Sequence, residues 1–380
     1  KMCIFLYIQI LMFIITLLCS HTKKQTKNLI FLMTSLLWGI IFGLRRDNVG
    51  NDSTMYSMFY RGYSIEGLGT YEINSETEEY GFTLVANLLH RISPEVVFFY
   101  LAVAVAVFGL IYFVYKNKCT GYWGYLCFFL MSATFATLII AMRQSMSIAF
   151  ILLGLFLFKH VKYDGIKDLH RIIKDKYFLL GICAFLFSIS VHRSTIILLP
   201  ILVLAYFVRY TRKAAFINIL VVLFFTLLLS SQIGDLFNLA LSIVGGFSDD
   251  NVSLLAERYS SDLGESSMTL LKIASWCVPL AFTIKYSREN VLRSFEFSCL
   301  MIAFTLYIMF GSATMCIRIS MLFQIIGFSV FVPEVVNTKP AVRKMYIVFT
   351  LLFFYSAYKT YSNWLVYPYD STLPFYFFWE

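Results

Sequence analysis

Apolar residues run through this chain in long blocks, and polar residues gather in the breaks between them. Most blocks approach the ~20 residues that a helix needs to cross a bilayer, and none shows the period-two alternation of a transmembrane strand. Twelve can be drawn: Met2–Cys19, Leu29–Leu44, Glu95–Tyr115, Tyr122–Ile140, Gln144–Phe158, Tyr177–Ser190, Thr195–Val208, Ala214–Ser231, Met268–Ile284, Ser294–Gly311, Ile317–Val332 and Met345–Trp364. The pattern predicts an all-α, polytopic integral membrane protein of about 12 transmembrane helices. Two breaks are long enough to be loops in their own right, 45–94 and 232–267. In the first, Phe82, Val85, Leu88, Leu89 and Ile92 recur at helical spacing, which predicts an interfacial helix near 80–92.

Composition agrees, since 59% of residues are hydrophobic, 14% are charged and the mean hydropathy is +0.74. A soluble domain carries nearer ~25% charged residues. The net charge of +9 therefore says less about nucleic acid, which is not an expected partner, than about orientation. Twenty of the 31 Lys and Arg fall in the breaks after the odd-numbered spans, which marks those breaks as cytoplasmic. Lysine dominates there. The outer breaks and turns carry arginine alone, and the 232–267 loop is acidic. A topology signal can be met by either residue, whereas bidentate recognition of phosphate or carboxylate asks for guanidinium. An uncleaved first span is expected, because no small-residue cleavage site follows Cys19.

The stretch Gly43–Tyr56 concentrates Arg45, Arg46, Asp47 and Asp52 at a membrane edge. Ionisable groups inside a span cost about 2.5–3.5 kcal/mol on insertion scales, so such residues face protein, water or substrate. Arg143 sits at a corner between two spans with almost no loop, Arg318 at the start of another, and His192, Arg193 and Ser194 at the turn between two more. This pattern fits an outer-edge site for an anionic, lipid-linked substrate. Guanidinium groups suit the anionic part of such a substrate, and His192, Asp52 and Glu79 are the nearby groups able to accept a proton. Each has a plainer reading: head-group anchoring for Arg45 and Arg46, an ion pair for Arg318, a backbone bond for His192, and an orienting role for Asp52 and Glu79. The eight cysteines lie in or beside spans without a CxxC pair, and Asp249-Asp250 reads as a solvated face, so no metal and no cofactor is expected.

Gly43-Leu44-Arg45 followed by Gly50, Asp52 and Tyr56, then Glu79-Tyr80-Gly81-Phe82, Arg143-Gln144 and His192 before an apolar run ending at Pro200, resembles the EpsG-like, Wzy-type exopolysaccharide and O-antigen polymerases. Where that family often has Gly-Thr-Asp, this chain has Gly50-Asn51-Asp52. The resemblance implies joining of polyprenyl-pyrophosphate-linked oligosaccharide units on the outer face of the bacterial cytoplasmic membrane, without a cofactor. It implies catalytic roles for His192, Asp52 and Glu79, with glycan and pyrophosphate held by Arg45, Arg46, Arg143, Arg318, Arg193 and Tyr56. The bilayer is the constant partner; a chain-length regulator and a flippase are candidate ones. A lipid-linked oligosaccharide flippase and a ligase of the O-antigen type are the alternatives. A nucleotide-sugar glycosyltransferase would need a cytoplasmic domain that Lys159–Lys176 is too short to provide. ATP-driven transport and zinc proteolysis lack their motifs.

Overall fold

A computed structural model describes residues 24–50, 52–65, 68–73, 79–116, 141–161, 173–228, 270–310, 314–337 and 377–379. The expected spans Met2–Cys19, Tyr122–Ile140 and Met345–Trp364, and the acidic loop 232–267, lie outside the described residues. The regular secondary structure among the described residues is helical, with two isolated β-bridges and no strand. The helices are α1 (Lys24–Gly43), α2 (Ser53–Tyr60), α3 (Tyr80–His90), α4 (Val96–Tyr115), α5 (Met142–Phe158), α6 (Lys176–Val191), α7 (Leu198–Phe207), α8 (Arg212–Leu228), α9 (Leu270–Tyr286), the single turn α10 (Glu289–Leu292), α11 (Phe295–Met309) and α12 (Thr314–Asn337). Of these, α4 alone has both the length and the apolar composition to cross a bilayer unaided; α5, α6 and α11 are shorter apolar helices.

Local chemistry sets several ends. Asp175 caps α6 by accepting from the amide of Tyr177 at 2.7 Å, and the Ser294 hydroxyl does the same for Phe297 at 3.2 Å. His192 ends α6 by turning extended, at φ −154° and ψ 105°, and a 3₁₀ turn over Arg193–Ile197 follows. The helix of the second expected span runs over Lys24–Gly43 and so includes residues before its apolar run, among them lysines, which are good helix formers. The seventh begins as this 3₁₀ turn rather than as a regular helix.

The chain divides into two compact units, Lys1–Pro200 with Phe353–Glu380, and Ile201–Leu352. In the first, α1 packs antiparallel to α4, with Phe31 against Tyr112 at 5.0 Å near one end and Gly43 against Leu101 at the other. Helices α5 and α6 are likewise antiparallel: Phe150 meets Phe187 at 4.5 Å and Phe158 meets Phe178 at 5.6 Å. Phe113 on Phe156 aligns α4 with α5 in parallel. The C-terminal end of α1, the N-terminal ends of α4 and α5 and the C-terminal end of α6 therefore share one side. Lys24, Lys116, Lys159 and Lys176 stand at the opposite ends, about 25 Å away for a helix of 17 residues.

Between α5 and α6 runs a buried polar seam. The Ser147 hydroxyl bonds the Ser188 hydroxyl at 2.8 Å and that of Thr195 as well, while Ser188 also donates to the Ser147 carbonyl. Small hydroxyl residues let apolar helices approach closely and satisfy one another where no water is present. Helix α3 departs from the single stripe its sequence suggests. Phe82, Thr83 and Ala86 are buried, Phe82 against Tyr56, Phe59 and Phe99, whereas Leu84, Leu88 and Ile92 are exposed. The helix is apolar on two sides, so periodicity alone could not tell its protein-facing side from the other.

In the second unit α11 lies along α12, α8 packs on α9 and α11, and α9 on α12. Trp276 fills the space against Phe304 and Tyr307. Arg212 closes the end of α9 by donating to the Ser287 carbonyl at 2.9 Å, and Ser298 donates to that of Val208.

Candidate active site

Glu79 stands immediately before α3 and its carboxylate does not cap that helix. It turns instead toward α5 and α6. One oxygen, Oε2, accepts from Arg143 Nη1 at 2.7 Å; the other, Oε1, accepts from His192 Nδ1 at 2.9 Å and from the Arg193 amide at 3.3 Å. The carboxylate is almost fully buried, and the two partner side chains are each about one-fifth exposed. Close backbone packing makes this approach possible. A Cβ on Gly81 would lie 2.3 Å from the Ser190 hydroxyl and 2.8 Å from the Ser190 carbonyl carbon and the Val191 amide, so only glycine admits α3 to the end of α6.

Burial alone would raise the Glu79 pKa. The His192 hydrogen bond and the Arg143 charge outweigh it and leave the carboxyl below its ordinary value, hence ionised. An ionised carboxylate can only accept, so His192 donates through Nδ1. In the neutral imidazole Nε2 is then the free acceptor, and the Ser194 hydroxyl lies on it at 2.6 Å. Arg143 also reaches the Tyr56 hydroxyl at 3.4 Å, with its guanidinium 5.9 Å from the Tyr56 ring. Burial raises the Tyr56 pKa, against the pull of Arg143, so the phenol stays protonated.

Of the residues singled out in the sequence, Glu79, Arg143, His192 and Tyr56 converge, and Arg193 joins through its backbone while its side chain is exposed. Asp52 precedes α2 and its charge acts on Tyr56. Arg45 departs from the expected role. It is 1% exposed, donates to the Phe42 carbonyl at 2.9 Å and to Ser53 at 3.2 Å, and stacks on Tyr100 at 4.2 Å. Its guanidinium pins the loop to α1 and α4 from within, out of reach of a substrate in this conformation, and burial lowers its pKa. A cavity of about 10 Å³ beside it, lined in part by Ser145 and Tyr100, has room for a water and not for a sugar. Arg46 is exposed; Arg318 is half-buried on α12, in the second unit.

Nearby contacts hold the loop in shape. Gly50 adopts φ +93°, a value that L side chains avoid, and so turns the chain into α2. Asp47 accepts from Ser57 and Arg61, and Tyr60 donates to the Ser93 carbonyl at 2.7 Å. Ser194 is the participant that the sequence placed at the turn without assigning to the site; its spacing of two from His192 was the available signal. Among the described residues no three His, Cys, Asp or Glu side chains converge as metal ligands would.

Outward-facing Leu179, Leu180 and Leu186 on α6, and Leu220, Phe224 and Leu227 on α8, are all well exposed, so these helices present apolar surface away from their protein contacts as well as within them. Surface of that kind on helices that are apolar all round belongs in hydrocarbon. An all-α membrane protein with an ionised, arginine-clamped carboxylate and an imidazole at its helix ends is the class so defined. The EpsG family model matches residues 27–377, nearly the whole chain, and the chain belongs to that family. Membership assigns it a polymerase role in polysaccharide biosynthesis in general terms. No curated protein and no solved structure matches it.

Proposed function

We propose that this protein joins oligosaccharide units carried on a polyprenyl pyrophosphate, at the outer face of the bacterial cytoplasmic membrane, with twelve spans in all. The observation that carries the reading is Glu79, held between Arg143 and His192. Glycosyl transfer from a pyrophosphate needs two things: a base for the attacking sugar hydroxyl and a cation near the departing phosphates. His192 is the base. Its Nδ1 is tied to Glu79, which fixes the tautomer, and its Nε2 takes a hydroxyl at 2.6 Å. Glu79 is a positioning group, since a carboxylate with a lowered pKa and two strong donors is a poor proton acceptor. Arg143, partly open to solvent, faces the pyrophosphate with help from the exposed Arg46 and Arg193. The proton leaves the acceptor hydroxyl for Nε2, the new bond forms at the donor's anomeric carbon, and the lipid pyrophosphate departs with the electron pair. The orientation is supported by the helix directions: the Glu79 cluster lies at the ends opposite Lys116, Lys159 and Lys176, and lysine-rich ends favour the cytoplasm.

The test is glycan size in a strain lacking the gene, complemented with wild type, Arg143→Ala or His192→Ala. Single repeat units on lipid, in the deletion and in both variants at normal membrane abundance, are the expected result. Long polymer left unattached in the deletion identifies a ligase instead. Single units confined to the cytoplasmic face identify a flippase.

A further inference from the structure

Glycosyl transfer as proposed gives roles to His192, Glu79 and Arg143 and none to the serine whose hydroxyl lies on His192 Nε2. Ser194 Oγ lies 2.6 Å from His192 Nε2, and His192 Nδ1 lies 2.9 Å from Glu79 Oε1. The serine is exposed, the carboxylate buried, and the carboxylate's other oxygen is locked by Arg143. A hydroxyl on a base whose far nitrogen is oriented by a third group is the constellation of an activated nucleophile. The local fold makes the pairing regular: the extended His192 and the 3₁₀ turn behind it, closed by the Thr195 amide on the His192 carbonyl at 3.0 Å, bring residues two apart onto one side.

We propose that Ser194, His192 and Glu79 form a nucleophilic triad that takes acyl groups from carboxylic esters, an activity distinct from glycosyl transfer. In the first half-reaction Ser194 Oγ attacks the ester carbonyl and its proton passes to His192 Nε2, where the imidazolium faces the Glu79 carboxylate. The carbonyl re-forms, the ester's carbon–oxygen bond breaks, and the leaving alkoxide takes that proton, giving acyl-Ser194 and an alcohol. In the second, His192 takes a proton from water or from a sugar hydroxyl as its oxygen attacks the acyl carbon, and returns it to Ser194 as the acid or the new ester departs. Hydrolysis and transfer differ only in the second nucleophile. The substrate class is a carboxylic ester able to reach the exposed Ser194 hydroxyl at the helix ends.

The experiment uses the full-length protein in its own membranes, treated with a fluorophosphonate probe, with the adduct mapped by peptide mass spectrometry. The expected result is labelling at Ser194, slowed about 10²-fold or more in His192→Ala and Glu79→Gln, the span typical of a lost general base. Labelling of Ser194 at an unchanged rate in His192→Ala, or no labelling in wild type, overturns the proposal. Ser194→Cys gives a second reading that needs neither partner removed: alkylation by iodoacetamide should show a pH midpoint below the ordinary thiol value of about 8.5. A midpoint at or above it overturns the triad as well. Glycan size in the deletion strain is read separately. Unchanged polymer there sinks the polymerase reading and leaves the labelling result standing.

Discussion

Glu79 brings a negative charge into a position where an isolated carboxylate would not stay ionised, and its three donors explain why it does. Removing one partner of a buried pair leaves the other charge uncompensated, which typically costs about 3–5 kcal/mol. Glu79→Ala should therefore lower stability by that order, read as the thermal midpoint in detergent, and more than Asp52→Ala does. The pH dependence has a definite sign. A carboxyl whose native pKa is depressed contributes stability that is complete above its unfolded value, about 4.3, and is lost as pH falls through the lower native value. The thermal midpoint should hold from neutral pH down to about 5 and then decline, and Glu79→Gln should flatten the decline. Equal acid sensitivity in the two proteins would show that other groups set it. At this scale the sequence showed which residues were out of place: a glutamate, a histidine and an arginine at membrane edges. It could not show that one carboxylate holds both cations, because those residues are 64 and 113 positions from Glu79. Nor could it separate Arg45, which is buried, from Arg46, which is exposed, because adjacent residues beyond a helix end have no fixed face.

Two elements place the cluster. Helix α3 brings Glu79 to the end of α6, and the α5–α6 pair sets Arg143 beside His192. The first contact rests on Gly81. A methyl group there meets backbone atoms of Ser190 and Val191 that have no room to yield, so Gly81→Ala should displace α3 from α6. The expected outcome is loss of polymer at near-normal protein level, together with slower fluorophosphonate labelling. Normal chain length in Gly81→Ala would mean that α3 does not fix the site. The existence of α3 and its approximate limits were legible from the apolar spacing. Its burial pattern was not, because Phe82 and Leu88 both suit an apolar surface and only the neighbours Tyr56, Phe59 and Phe99 decide which of them is enclosed. The polar seam of Ser147, Ser188 and Thr195 was equally silent, since serine in an apolar run reads as a small residue until a partner faces it.

For the whole molecule, the proposed twelve-span topology makes a prediction about sides. Arg46 and His160 are both exposed, and they stand near opposite ends of the first unit's helices. In a cysteine-free background, Arg46→Cys should react in intact cells with a membrane-impermeant maleimide, and His160→Cys only after permeabilisation. The reverse pattern would put the Glu79 cluster in the cytoplasm and remove the basis for an outer-face reaction. The sequence by itself determined the all-α class, the membrane as solvent and the family. Those follow from the length of the apolar runs, the low charge content and short ordered motifs, all of which are local properties of the chain. The tertiary structure alone decided which ionisable residues meet. Hydrogen bonds between groups dozens of residues apart depend on helix crossings, and these are set by contacts as small as a missing methyl at Gly81 and a hydroxyl at Ser147.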